Sequence, residues 1–155
     1  MEIIEYKRLT TNELSQIRVL WEKLNQTHLN DSIYFKDHYA RFSFEERISC
    51  WTKLPEKNFQ LLIAQTSEFI PIGYCIATIN ANQGGEIDSL FIDSTFRMQG
   101  IGKILMEKSM KWLQKNHCKP IRLNVSYGHE SVIEFYQQFG FYARLTTLEL
   151  IENEK

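Results

Sequence analysis

Apolar and polar positions alternate through residues 86–92, EIDSLFI, and then the pattern changes period. The alternation predicts a strand with both faces at least partly buried. Asp93, Ser94 and Thr95 break it. From about Gln99 onward, Ile101, Ile104, Leu105, Met110 and Trp112 recur at helical spacing. The stretch therefore predicts strand, loop, helix. Gly100 and Gly102 stand at the junction, where a side chain would obstruct close approach to the backbone. A helix starting there turns free N–H groups and the positive end of its dipole into the loop, a seat suited to phosphate oxygens. An ordinary tight loop satisfies the same pattern.

The rest of the chain follows in order. Residues 3–9 predict a first strand, and Thr10 with Glu13 a capping box. Leu14, Ile17, Val19, Leu20, Trp21 and Leu24 supply one helix face. Residues 28–35 read as a linker and residues 37–50 as a second helix. That region is rich in aromatics (Tyr34, Phe35, Tyr39, Phe42, Phe44, Trp51), which suit either a substrate pocket or plain helix–sheet packing. Residues 54–57 form a turn. Residues 59–65 and 69–79 then read as strands, with Pro71 among the first residues of the second. Gly73 marks a bulge, a thin side-chain layer or a close approach. The polar loop NANQGG leads into the strand at 86–92, which makes a three-stranded antiparallel meander. Pro120 ends the long helix region. Residues 120–125 predict a strand parallel to 86–92 through a right-handed crossover. Residues 126–130 turn, residues 131–139 form a short helix closed by Gly140, and residues 141–151 read as a last strand.

Composition narrows the class. The 155 residues carry 18 basic and 19 acidic side chains, a formal net charge of -1. Nothing in that balance favours nucleic acid or an anionic membrane as partner. Cys50, Cys75 and Cys118 lack metal-ligand spacing and read as free thiols in a reducing compartment. His28, His38 and His117 form no cluster with acids or cysteines at metal spacing, so no metal is expected and each reads as a surface or packing residue. The start, MEIIEYKRL, has no leader pattern, and no run approaches the roughly 18 apolar residues needed to span a bilayer. The expected location is the cytoplasm. The expected organisation is one domain over residues 1–151 with a frayed tail at 152–155.

On chemistry alone the glycine loop lacks the GxxxxGK[ST] of a nucleotide P-loop and the GxGxxG of a dinucleotide fold. Arg97 just before it can add charge-assisted bonds to phosphate. The run RMQGIGK resembles the R/Q-x-x-G-x-G/A signature of the GNAT superfamily of N-acetyltransferases. The later FYQQFGF, residues 135–141, resembles that family's second conserved block. The resemblance implies an α/β GNAT fold, a mixed central sheet flanked by helices in the order β-α-α-β-β-β-α-β-α-β. It implies acetyl-CoA as acetyl donor, lying where the two parallel strands splay apart. Leu90, Phe91 and Ile92 would then hold the pantetheine arm and polarise the thioester carbonyl. Arg97, Met98, Gln99, Gly100, Ile101, Gly102 and Lys103 would hold the pyrophosphate.

The resemblance also assigns chemistry. Tyr136 matches the tyrosine that protonates the departing thiolate; a phenol with a pKa of about 10 is protonated at neutral pH. Otherwise it simply packs its short helix. Glu86 and Asp88 are the base candidates, or else solvated strand-edge acids. His129 stands where the family often has asparagine, before Val132, so a cap, a contact to the cofactor arm and a base all stay open for it. Asn124, on the strand, is not an obvious replacement, though it joins Ser131 and Tyr136 among the expected cofactor contacts. Tyr34, Phe35 and Tyr39 are the expected acceptor-binding wall. The implied function is transfer of acetyl to a primary amine of a small molecule or protein, by direct attack through a tetrahedral intermediate. A non-catalytic acyl-CoA binding or sensing domain is the other function that fits. Both a monomer and a homodimer fit, with residues 146–151 offering an edge for pairing.

Overall fold

The computed structural model describes residues 2–152, and the chain falls into two compact units. The first joins residues 1–24 to 43–124 and the second joins 25–42 to 125–155. The last three residues of the expected tail lie outside the described residues.

The first unit is built on a five-stranded sheet in the order β1-β2-β3-β4-β5. Its strands are β1 (Ile4–Leu9), β2 (Phe59–Thr66), β3 (Pro71–Ile79), β4 (Gly85–Ile92) and β5 (Ile121–Leu123). The first four run antiparallel, and β5 is parallel to β4. β2 is buried along its whole length and β3 nearly so, which explains their near-continuous apolar runs. Pro71 sits at the first residue of β3, as expected. Gly73 serves close packing: a Cβ there would lie 2.7 Å from Ile92 Cδ1 and 3.2 Å from the Phe91 carbonyl oxygen. The helix α4 (Ile101–Lys115) buries Ile101, Leu105, Met106, Ser109 and Leu113; of the expected face Ile101 and Leu105 are buried, Met110 and Trp112 are half-buried and Ile104 is exposed.

The N-terminal helices differ from expectation. The capping box forms: Glu13 Oε1 accepts from the Thr10 N–H at 3.1 Å. It opens a 3-10 turn at Thr11–Ile17, and α1 (Arg18–Asp31) follows. α1 runs through His28, Leu29 and Asn30, which the polarity of that stretch had marked as linker. The expected second helix is two, α2 (Lys36–Arg41) and α3 (Phe44–Thr52). Ser43 divides them: it is extended, and its Oγ accepts from the Glu46 N–H at 3.1 Å, a serine N-cap set inside an aromatic run. α3 sends Phe44 and Trp51 into the core at 2 % and 1 % exposure. For those two aromatics the packing reading holds.

The second unit carries α2 and α5 (Ile133–Gln137), the latter entered through a 3-10 turn at Glu130–Val132. The expected last strand at 141–151 is absent; residues 141–152 have no regular structure. Leu145, Leu148 and Leu150 are 75 %, 91 % and 88 % exposed. Alternation confers only a propensity, and a strand forms when a neighbour takes up its N–H and C=O groups. Among the described residues, the segment past Phe141 has no backbone partner.

Candidate active site

The end of β4 is opened by a bulge. β3 pairs Ile76 with Ser89 and Ala77 with Ile87, so Asp88 has no partner of its own. A bulge of this kind raises the local twist and bends its strand. On the other side, β5 pairs only with Gly85, Glu86 and Ile87. Among the described residues, the β5-facing edge of β4 has no strand partner beyond Ile87.

Asp88 fixes the bulge. Its Oδ1 lies 2.6 Å from Arg47 Nη2, and its Oδ2 accepts from the Trp51 indole N–H at 2.9 Å. The same Nη2 also reaches the Asp88 carbonyl oxygen at 3.2 Å, and the guanidinium stacks 4.5 Å over the Trp51 ring. With both carboxylate oxygens engaged by α3, Asp88 is placed to clamp rather than to collect a proton. Glu86 differs. Among the described residues its Oε1 meets only Asn124 Nδ2, at 3.4 Å. Desolvation pushes its carboxyl above the ordinary range, Asp88 adds to the rise and Arg47 opposes it.

A carboxyl whose folded pKa is raised binds more protons in the native than in the unfolded chain over that window. Its contribution to stability therefore falls as pH rises through the ordinary carboxylate pKa. Glu86→Gln is accordingly expected to melt higher than the wild type at pH 7, and the gain to vanish at pH 4, where Glu86 is itself neutral. Thermal melts at the two pH values check this; an equal difference at both would contradict it.

The loop after β4 is shaped for an anion. Met98 and Gly100 both take positive φ, 66° and 79°. Met98 is fully exposed, a strained position for a bulky residue and a common mark of a functional loop. A Cβ on Gly100 would meet nothing within 4 Å, so the space before α4 is open. The first N–H to close an intrahelical bond there is that of Ile104, on the Gly100 carbonyl at 3.1 Å. The N–H groups of Ile101, Gly102 and Lys103 precede it in the first turn, where helices leave donors unpaired. Phosphate oxygens fit this donor set, and Gln99 and Lys103 expose their side chains beside it. The Ile101 side chain is buried and offers only its N–H.

Arg97 folds back on β4: its Nε–H donates to the Ile92 carbonyl at 3.0 Å and its guanidinium lies 5.4 Å from the Phe91 ring centroid. On the other side of the strand the Asp93 N–H donates to the Ile72 carbonyl at 2.8 Å, so the alternation of backbone groups turns Phe91 toward β3 and Leu90 and Ile92 toward the open edge. Lys23 joins the same region. Its ammonium lies 2.7 Å from Asp93 Oδ2 and holds that carboxyl below the usual range. Sequence reasoning missed Lys23, Arg47 and Trp51, since each meets β4 or its loop only through tertiary packing.

The remaining expected residues belong to the second unit. Tyr136 lies on α5, half-buried, with its ring 5.3 Å from Phe135 and 6.5 Å from Phe141. Phe135 packs on Phe139 at 5.2 Å. Ser131 is exposed in the turn before α5. The Tyr39 hydroxyl donates to Ser126 Oγ at 3.0 Å. Tyr34 is 60 % exposed, and Phe35 is half-buried where α2 begins. His129 Nδ1 lies 3.2 Å from Asp31 Oδ2, and His28 packs against His129. His28 had read as a surface or packing residue, and it packs on Tyr39 and His129. The available signal was its spacing from Asp31, three residues on along the same helix face.

Among the described residues, no helix is long and apolar enough to cross a membrane, and no group of three or more His, Cys, Asp or Glu could hold a metal ion.

Comparison with known proteins bears on this arrangement. The family model described as "Acetyltransferase (GNAT) family" matches residues 21–141. Peptidyl-lysine N-acetyltransferase YjaB of Salmonella typhimurium is 29% identical over 140 residues, covering 90% of this chain and 83% of that protein. N-alpha-acetyltransferase 30 of Saccharomyces cerevisiae is 30% identical over 76 residues, covering 46% of this chain and 43% of that protein. In fold, the chain matches the aminoglycoside N-acetyltransferase AAC(6')-Iy in complex with CoA at a TM-score of 0.69 and 16% identity, covering 98% of this chain and 96% of that one. A second structure of AAC(6')-Iy, with a bisubstrate analog, matches at a TM-score of 0.67 and 16% identity, covering 97% and 99%.

Proposed function

The chain belongs to the GNAT acetyltransferase family, and from that premise we propose that it moves acetyl from acetyl-CoA to a primary amine of a peptide or a small polycationic molecule. The single observation that carries the reading is the open edge of β4 beyond Ile87, followed directly by the glycine loop at the head of α4. A strand edge able to hold an amide-bearing arm next to a seat for phosphate is what acetyl-CoA requires. The acceptor class follows its relatives' names: peptidyl lysine for YjaB and aminoglycosides for AAC(6')-Iy.

Acetyl-CoA, when bound, supplies an activated thioester carbonyl. The chain does the rest. The N–H groups of Ile101, Gly102 and Lys103, with those of Gln99 and Gly100, hold the pyrophosphate. The backbone at Leu90 and Ile92, which faces the open edge, orients the arm and sets a fixed dipole toward the carbonyl oxygen, where charge develops. Tyr136 gives its phenolic proton to the departing thiolate. Glu86 is the better placed of the two strand acids to collect the proton that the amine nitrogen sheds after attack, because Asp88 is committed to Arg47 and Trp51. Three free cysteines, two of them buried, suit the reducing cytoplasm.

Release of free thiol from acetyl-CoA, followed with a lysine peptide and with sisomicin, tests the reading. Thiol is expected only when an amine is present. Tight coenzyme A binding with no amine-dependent thiol would leave a binding domain instead.

A further inference from the structure

The two acids of β4, Glu86 and Asp88, and every group that touches them lie within the first unit. Asp88 is held by α3 at both oxygens: Arg47 Nη2 stands 2.6 Å from Oδ1, and the Trp51 indole N–H donates to Oδ2 at 2.9 Å. The Arg47 and Asp88 side chains are 24% and 16% exposed, so solvent ions screen the pair little. Arg47 is itself fixed, by the Asp88 carbonyl at 3.2 Å and by the Trp51 ring, whose centroid lies 4.5 Å away. The next residue of the bulge is anchored by β3. Ser89 Oγ and the Tyr74 hydroxyl lie 2.7 Å apart, and Tyr74 is fully buried.

Two carboxyl groups this near in one strand resist ionising together, because each adds negative potential at the other. A guanidinium keeps its charge at any working pH and meets a carboxylate with a rigid fork of donors. The ion pair with Arg47 therefore answers the charge of Asp88 locally, on the α3 side, and Trp51 ties down the second oxygen. Glu86 has no such clamp; its Oε1 meets the neutral amide of Asn124 at 3.4 Å.

We propose that Arg47 and Trp51 are positioning residues for acetyl transfer, an assignment that rests on the acetyltransferase reading above. They hold the negative charge of Asp88 against α3, so that Glu86 ionises and collects the proton that the amine nitrogen sheds after attack. In that step an N–H bond breaks, its electron pair stays on the nitrogen of the new amide, and the proton passes to a Glu86 oxygen and then to water. Neither Arg47 nor Trp51 touches the reacting atoms; both act through Asp88.

The groups on the neighbouring elements leave this task to Arg47. On β3, Thr78 stands opposite Glu86 and is uncharged, and burial pushes the Tyr74 phenol up, so it stays neutral. On β5, Arg122 is the register partner of Glu86, but it is exposed and its charge is screened by water. α4 meets this end of β4 through Leu113, beside Gly85, where burial pushes the Cys118 thiol up and keeps it neutral. Desolvation raises the Glu86 carboxyl most, Asp88 adds to the rise, and Arg47 is the cation that opposes it.

Arg47→Met tests the assignment, because it removes the cation and keeps an apolar stem against Trp51. The acidic limb of its pH–rate profile with a lysine peptide should move to higher pH, with roughly tenfold more rate lost on that limb than at alkaline pH. Asp88→Asn leaves the cation unopposed and should move the limb the other way. The double variant removes both charges and should bring the limb back toward the wild type, as should Arg47→Lys, which restores the charge. The Glu86 carboxyl titration, followed by carbon NMR without substrate, should shift in the same directions. Where Arg47→Met does not fold, the near-isosteric Asp88→Asn carries the test. Slower turnover and lower melting temperatures with the limb and the carboxyl titration unmoved would mean that the clamp only holds the fold, and would overturn the assignment while leaving acetyl transfer intact. A wild type that binds coenzyme A yet acetylates no amine defeats the transferase reading and this assignment with it, whatever the carboxyl titrations show.

Discussion

Tyr136→Phe is expected to lower turnover roughly 10³-fold, the scale of a lost general acid, while coenzyme A affinity stays within about twofold. The substitution keeps the ring, and the ring makes the packing contacts with Phe135 and Phe141. It removes only the hydroxyl, which in the proposed reaction is the proton source for the departing thiolate. The loss should therefore appear in kcat rather than in KM for acetyl-CoA. Steady-state rates across pH, with calorimetry for affinity, separate these. Unchanged turnover throughout would return Tyr136 to a packing role in α5.

Gly100→Val is expected to weaken coenzyme A binding about 10²-fold. The reason is not crowding within the free protein, since a Cβ at Gly100 would meet nothing within 4 Å. It is the backbone. Gly100 sits at φ 79°, a left-handed conformation that costs an L-residue about 1–2 kcal/mol, and a β-branched one more. A valine would pull the loop toward a right-handed geometry and turn N–H groups away from the phosphate. Losing one charge-assisted hydrogen bond in that relaxed loop costs about 1.5–3 kcal/mol. At the upper end that is roughly two factors of ten in affinity. Calorimetry on a variant shown to be folded by its melting transition checks this. Wild-type affinity would mean that the loop does not hold the phosphates.

The strands and α4 were legible because each buries one face or both, and burial writes a period into the residues. The capping box and Pro71 were legible because their physics is local. What escaped depends on partners. The bulge at Asp88 exists only against β3, so alternation along β4 alone made Glu86 and Asp88 look equivalent. Arg47 and Trp51 lie on a different element from the carboxylate they hold, and their contact with it decides which acid stays open. Ser43 stops a helix inside an aromatic run whose period does not change, because Phe42 and Phe44 both look like face residues. Residues 141–151 have strand-like composition without a neighbour to pair with, so composition overstated them. His129 and Asp31 meet across 98 residues of chain, a contact no spacing rule reaches, although His28 and Asp31 share a helix face. The loop before α4 was the opposite case. Its shape depends on a handful of consecutive backbone conformations, and the residues that permit them, Gly100 above all, are visible one after another.

The most direct test of acetyl transfer to an amine follows the acetyl group itself. Wild-type protein is incubated with acetyl-CoA labelled in the acetyl carbons and with either lysine peptide or sisomicin, and both protein and amine are weighed by mass spectrometry. Labelled acetyl on an amine nitrogen of the acceptor, with no labelled protein accumulating, is the result that direct attack predicts. Label that stays wholly on coenzyme A while the cofactor is bound, or that accumulates on the protein without reaching either amine, would contradict it.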